Sequence, residues 1–389
     1  RLMARDTGNA RLALAALGLG AFVGIAMVET IPRLLPGLMP AKLRAVQRIY
    51  DARSSWEGMM RGDRELGFTL LPDLDLDFPS EGRAIDIRTK QLLDLDVAYR
   101  DLGDDPPWQA IALGDSFTFC DDTTAAACWV KRLAEKTGMT IGTLGVNGYS
   151  NLAEARLLEK VAPRLSPKLV LVGFFPNDFK DNLHFRNWTQ TGTNDYWTWM
   201  RQQRRSDLSD TLANYSILYR LIDAARRYGQ RDTFEHHDEK LDFVFRADSW
   251  WKTVLDNPGA TPGYRLSEEA FRSMAATARA AGAELVVLLF PFKEQVYWDV
   301  ARRYTTGGDS LELADIDAPM QAVRRFLETE GIAHCDLTGD LRRAAAEREQ
   351  LYLRVGAHWT DVGNDAAADS IAACLAAKGL APRSGERAS

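Results

Sequence analysis

Ala112-Leu113-Gly114-Asp115-Ser116-Phe117-Thr118 is the stretch on which the reading of this chain turns. It closes a short apolar run, Gln109 to Leu113, whose length and flanks suit a buried strand. Gly114 and Asp115 break the run as a strand-to-helix turn does, leaving the Ser116 hydroxyl at the tip. Such a serine becomes a nucleophile only with a base beside it and amide donors to hold the oxyanion its attack creates.

Outward from this turn, strand and helix patterns alternate in βα order. The predicted strands are Gln109–Leu113, Thr140–Leu144, Lys168–Phe175, Glu284–Phe290 and Ile332–Cys335. The predicted helices are Ala125–Lys136, Leu152–Val161, Glu268–Ala281, Met320–Glu330 and Asp361–Ala377. Short apolar strands separated by helices imply an α/β fold with a parallel sheet covered on both faces. Three further segments then fall at the C-terminal strand edge that carries Ser116. Leu144-Gly145-Val146-Asn147-Gly148-Tyr149-Ser150 offers a backbone N–H at Gly148, where the missing Cβ permits close approach. Gly173-Phe174-Phe175-Pro176-Asn177-Asp178 offers the Asn177 side-chain amide, and Ala357-His358-Trp359-Thr360-Asp361 offers a base.

The Gly-x-Ser-x-Gly elbow of α/β-hydrolases is absent. Instead Gly-Asp-Ser-Phe-Thr, the Asn177-Asp178 block with its trailing Asp181-Asn182, and His-Trp-Thr-x-x-Gly-Asn resemble, in order and approximate spacing, the blocks of the SGNH (GDSL-type) hydrolase superfamily. The resemblance runs from about Trp108 to Ala377. It is strongest to bacterial membrane-anchored members related to polysaccharide acetylation factors. It implies a flavodoxin-like three-layer α/β/α sandwich and no cofactor. It also implies Ser116 as nucleophile, His358 as base, and an oxyanion hole from the Ser116 N–H, the Gly148 N–H and the Asn177 side chain.

Two positions depart from that pattern. The family's acid stands two or three residues before the block histidine, where this chain has Val355 and Gly356. Asp361 follows the histidine, and Asp336 or Asp340 reaches it only through the fold, so the orienting acid is unknown: either a backbone carbonyl, in a Ser–His dyad, or a carboxylate from another segment orients the imidazole. Cys120 stands where the family commonly has glycine. In an exported domain a local disulfide from Cys120 to Cys128 is expected, with Cys335 and Cys374 as the second pair.

The N-terminal region reads differently. After a polar segment, residues 1–11, Leu12 to Val28 carries no charge, and the run extends to Ile31, which sets residues 12–31 as a transmembrane anchor. A cleavable signal peptide is the competing reading, but no clean Ala-x-Ala site precedes a polar start. Residues 32–107 form a juxtamembrane stretch: Pro32, Pro36 and Pro40 mark a bend, Ala41 to Met60 reads as an amphipathic helix, and Leu66 to Trp108 as a poorly periodic lead-in. The main domain is residues 108–378, with a tail over 379–389.

An aromatic-rich insertion, 183–263, interrupts the domain with a predicted helix at Leu208–Tyr228 and Trp188, Tyr196, Trp197, Trp199, Trp250 and Trp251. A lid, a partner-binding surface and a packed subdomain are equally open readings of it. The adjacent His236-His237 pair reads as a solvated loop.

Composition narrows the rest. At 389 residues, 46% hydrophobic, the chain can bury a large core, and a net charge of −6 argues against nucleic acid. Four cysteines without a Cys-x-x-Cys pair and five scattered histidines discourage a metal site. The expectation is a single-pass protein of the bacterial inner membrane with its main domain periplasmic or extracellular. It would be a serine esterase or acyltransferase acting on acyl, including O-acetyl, esters of carbohydrates or small molecules. The alternative is a catalytically inactive SGNH-like subunit of a larger membrane complex, bound to membrane-protein partners through its helix and tryptophan-rich insertion.

Overall fold

The computed structural model describes residues 3–39, 58–80, 83–193, 196, 199–200, 212, 215–230, 233–246, 261–304, 313–347 and 350–381. It divides into two units, residues 1–58 with 200–231, and residues 59–199 with 232–389.

The larger unit is built on five parallel strands: β6 (Ala110–Leu113), β7 (Ile141–Thr143), β8 (Leu169–Phe174), β11 (Glu284–Leu289) and β12 (Ala333–Asp336). Their spatial order is β7-β6-β8-β11-β12. Counted by first appearance this is 2-1-3-4-5, the flavodoxin-like order. Alternate strand residues separate the two faces. Ala110, Ala112, Leu169, Leu171, Val286 and Leu288 share one core with Trp129 and Leu133 of the helix Trp129–Thr137 and with Ala367 and Ile371 of the helix Asp361–Ala377. Ile111, Val170, Val172 and Val287 are equally buried, outside that core. The helices Asn151–Leu165 and Pro262–Ala280 pack together as a further pair, the latter also against β11. The result is a three-layer α/β/α sandwich with every predicted strand of the sheet present.

The lead-in is more regular than its sequence pattern suggests. Leu66 to Trp108 contains β2 (Gly67–Leu70), β3 (Asp75–Ser80), β4 (Arg83–Gln91) and β5 (Ala98–Arg100). The last three form an antiparallel sheet, and β2 pairs with β1 (Met60–Asp63). Met60 is therefore strand, not the end of a helix; residues 41–57 lie outside the described residues. His236 and His237 are also strand. They close β9 (Thr233–His237), which pairs with β10 (Asp242–Arg246), and His236 is buried against Asp238 at 2.9 Å. Trp188, Tyr196 and Trp199 are buried, and Tyr196 lies 5.3 Å from the Phe68 ring and 5.6 Å from Trp188. These aromatics are core; Trp197, Trp250 and Trp251 lie outside the described residues.

The smaller unit contains the helix Met3–Leu34, which runs through Pro32. Its stretch Leu12–Leu34 is the one helix among the described residues long and apolar enough to cross a membrane. The apolar side chains are bare, with Leu12, Leu17 and Phe22 at least 70% exposed. Within the same unit, the Glu29 carboxylate accepts hydrogen bonds from Ser216 Oγ at 2.6 Å, Ile217 N at 2.9 Å and Leu218 N at 3.0 Å. It thereby satisfies the free amides at the start of the helix Ile217–Gln230. It covers most of the predicted Leu208–Tyr228, within which Leu212 and Tyr215 are helical as well; residues 208–211, 213 and 214 lie outside the described residues.

Candidate active site

The strand β6 ends at Leu113 and the chain turns at Gly114, with φ at 153°. A Cβ there would stand 2.1 Å from Thr118 Oγ1, so only glycine fits. Asp115 Oδ1 then accepts from Phe117 N at 2.9 Å and caps the short helix Ser116–Phe119. Ser116 is thus the first residue of a helix packed on the sheet edge.

His358 arrives from the other end of the sequence. Its loop is closed by the bridge Tyr352–Trp359 and by Leu353 N donating to His358 O at 2.9 Å. The imidazole Nε2 stands 2.8 Å from Ser116 Oγ, and Nδ1 stands 2.5 Å from an Asp122 carboxylate oxygen. Asp122 also accepts from Ser80 Oγ at 2.5 Å. Of the two expected alternatives, backbone carbonyl or carboxylate from another segment, the structure has the carboxylate, from a residue the sequence reading did not name. A carboxylate reaches Nδ1 from six residues beyond the nucleophile rather than from beside the histidine. Asp336, Asp340 and Asp361 serve elsewhere: Asp336 accepts from Thr338 N, Asp340 from Ser370 Oγ, and Asp361 from Thr123 Oγ1. The Asp121-Asp122 pair is visible in sequence, but spacing alone does not convey that the chain doubles back after Phe119 toward the histidine.

That return is held firmly. Arg100, fully buried, donates to Phe119 O at 2.7 Å, Cys120 O at 2.5 Å and Thr123 O at 2.8 Å, and to Asp86 O at 2.8 Å. Cys120 takes the left-handed conformation, φ 63°, which favours glycine and explains why a glycine suits this position. Its sulfur is bonded to Cys128, and a second disulfide joins Cys335 of β12 to Cys374 of the terminal helix.

The amide donors gather around the same turn. Gly148 has φ 81°, and its neighbour Asn147 donates its side-chain amide to Asp121. Val146 N donates to Gly114 O at 3.0 Å, tying this loop to the nucleophile's strand. Asn177 Nδ2 donates to Asp115 at 3.1 Å and to Asp181 at 3.2 Å. The four sequence-expected residues therefore lie on segments joined to one turn.

The electrostatics are dominated by buried carboxyls. Burial alone would lower the His358 pKa, but the hydrogen bond to Asp122 and its charge, with Asp121 and Asp115, raise it to about 9. Desolvation raises Asp115, against hydrogen bonds from Phe117 and Asn177, and raises Asp121 well above the ordinary carboxyl range. Behind them burial pushes Asp181 up to about 7 and Glu154 up to about 8, and lifts Asp178 further with the charge of Glu154. Among the described residues no group of three or more His, Cys, Asp or Glu side chains is placed to hold a metal ion.

A serine hydroxyl, an imidazole and a carboxylate in series define the hydrolase type of site, here on a flavodoxin-like sheet. Residues 242–388 match the family described as SGNH hydrolase-like domain, acetyltransferase AlgX. Over that stretch the chain is similar to the SGNH hydrolase-like domain of the AlgX acetyltransferase family. No curated protein matches. Among solved structures it is similar to TesA, at 14% identity and TM-score 0.37, covering 70% of this chain and 98% of that one. A putative SGNH hydrolase from Slackia heliotrinireducens aligns at 13% identity and TM-score 0.38, over 68% and 97%. A catalytic variant of Axe2, an acetylxylan esterase from Geobacillus stearothermophilus, aligns at 14% and 0.34, over 68% and 93%.

Proposed function

We propose that the protein is a serine esterase or acyltransferase that acts on O-acyl esters, acetyl on carbohydrate foremost, and is held at a membrane with its domain outside the cytoplasm. The observation that carries the reading is the His358 imidazole spanning Ser116 Oγ at 2.8 Å and Asp122 at 2.5 Å. The non-enzymatic alternative drew on a missing acid, on the glycine-bearing span and on the tryptophan-rich insertion, and Asp122 beside His358 speaks against the first of these.

In this reading His358 Nε2 takes the Ser116 proton as Oγ attacks the acyl carbonyl. The oxyanion forms against the Ser116 and Gly148 backbone N–H groups. Asn177 joins them once one of its amide hydrogens leaves Asp115 or Asp181. Collapse returns the proton from Nε2 to the departing alcohol and leaves an acyl-serine. Water or a sugar hydroxyl then repeats the sequence in reverse, His358 again taking the proton. Asp122 fixes the imidazole tautomer and stabilises its charged form. The match to an acetyltransferase family supports acetyl as the group moved. The span Leu12–Leu34 supports the anchor, and two disulfides support an oxidising compartment.

The test is labelling of purified full-length protein by a fluorophosphonate, followed by hydrolysis of an acetylated oligosaccharide. Labelling at Ser116 and loss of hydrolysis in Ser116→Ala are expected. Ester hydrolysis unchanged in Ser116→Ala would sink the assignment.

A further inference from the structure

Lys293 opens the short helix Lys293–Val296 just past β11 and is 3% exposed. A buried ammonium is costly unless its donors are met. Here they are met by backbone: Nζ donates to Val244 O at 3.3 Å, Leu353 O at 3.3 Å, Arg354 O at 3.1 Å and Gly356 O at 3.1 Å. It also lies 5.2 Å from the Phe243 ring centroid and 5.8 Å from that of Phe245.

Three of those four carbonyls belong to one loop, residues 353–358, that ends on His358. The loop's ends are already tied by Leu353 N to His358 O. Its outer side is gripped by the hairpin β9–β10: Val244 N donates to Arg354 O at 2.9 Å, and Arg354 Nε donates to Asp242 at 2.9 Å. The ammonium thus sits in the concave side of the turn and draws its carbonyls inward. Gly356, one of the two positions without the expected acid, supplies one of these carbonyls.

We infer that Lys293 is a positioning residue for His358: its ammonium shapes the loop that places the imidazole between Ser116 and Asp122. Its contacts with the histidine's loop are hydrogen bonds to the backbone carbonyls of Leu353, Arg354 and Gly356. The inference rests on reading Ser116 and His358 as nucleophile and base. Removing Nζ withdraws a donor from four carbonyls at once, Arg354 O keeping its bond from Val244 N, so the loop turns the others elsewhere and His358 moves with it. A shift of about 1 Å at a catalytic group costs on the order of 10²-fold in rate.

The experiment uses the full chain in detergent, with para-nitrophenyl acetate as substrate and fluorophosphonate titration to count competent sites. Lys293→Met is expected to lower kcat per titrated site by about 10- to 100-fold with little change in KM, and Lys293→Arg, which keeps the charge, to recover part of the loss. A fall in site titre with kcat per site intact would overturn the inference, leaving Lys293 a stability residue. A second readout is independent of turnover. The downfield imidazole proton on His358 Nδ1, assigned by its loss in His358→Gln, should be present in wild type and Lys293→Arg and absent in Lys293→Met. Its persistence in Lys293→Met would also overturn the inference. A wild type that shows this proton but takes no fluorophosphonate would overturn the nucleophile reading instead.

Discussion

Asp122 and His358 stand 2.5 Å apart, and that pair sets the pH response of the site. The imidazole pKa is raised to about 9 because Asp122, Asp121 and Asp115 outweigh the effect of burial. The base is the neutral form, so ester hydrolysis should rise with pH as the imidazolium loses its proton, in a limb above the ordinary histidine value. Asp122→Asn removes the largest favourable contribution. The limb should then move to lower pH, while the plateau rate falls by up to about 10⁴-fold. Rates of activated-ester hydrolysis across pH, wild type against variant, read both effects; a flat profile would contradict the pairing. At the hole, Asn177→Ala should lower kcat by about 10²-fold with KM little changed.

At the scale of elements, the decisive piece is the return after the helix Ser116–Phe119. Four carbonyls converge on the Arg100 guanidinium, so truncating it strands several buried acceptors at once. Arg100→Met should cost about 3 kcal/mol or more, read as a fall in Tm, and should slow catalysis in the folded fraction because Asp122 leaves Nδ1. In the smaller unit, Glu29 caps the helix Ile217–Gln230 with three hydrogen bonds. Glu29→Ala should cost about 0.5–2 kcal/mol, seen as faster amide exchange in the first turn of that helix. Unchanged exchange there would show that the cap does not hold it.

Across the whole molecule, the sheet was the legible part. Gln109–Leu113, Lys168–Phe175 and Glu284–Phe290 are apolar because both faces are covered, and such runs announce themselves. The helix Asp361–Ala377 matches its predicted bounds. The lead-in strands were not legible, because β3 and β4 interleave Asp, Arg and Lys with their apolar residues in a small sheet, β4 alternating buried Ile85, Ile87 and Thr89 with more exposed Asp86, Arg88 and Lys90. Three of the site's four expected residues follow strands, where position alone points at them. Asp122 and Lys293 act through the return of a loop and through carbonyls, and neither leaves a spacing to read. The buried carboxyls bear on stability as one group. Glu154, held up to about 8, is favoured in its protonated form on folding. Its contribution is complete below the ordinary carboxyl pKa and is lost as pH rises through the folded value. Asp115, Asp121, Asp178 and Asp181 act in the same direction. Tm should therefore rise on going from about pH 8 to about pH 5, and Glu154→Gln should flatten the slope; a Tm that falls over that range would contradict the burial.

The disulfide between Cys120 and Cys128 encloses Asp122 and leaves Ser116 outside the ring. The seat of the acid is held by the Arg100 hydrogen bonds and, beyond them, by a bond that only an oxidant supplies. A reduced chain should carry a nearly assembled site with less hydrolytic power and gain it as this bond closes. Protein made under reducing conditions should show native far-UV signal and poor fluorophosphonate uptake, and uptake should climb as the two thiols close.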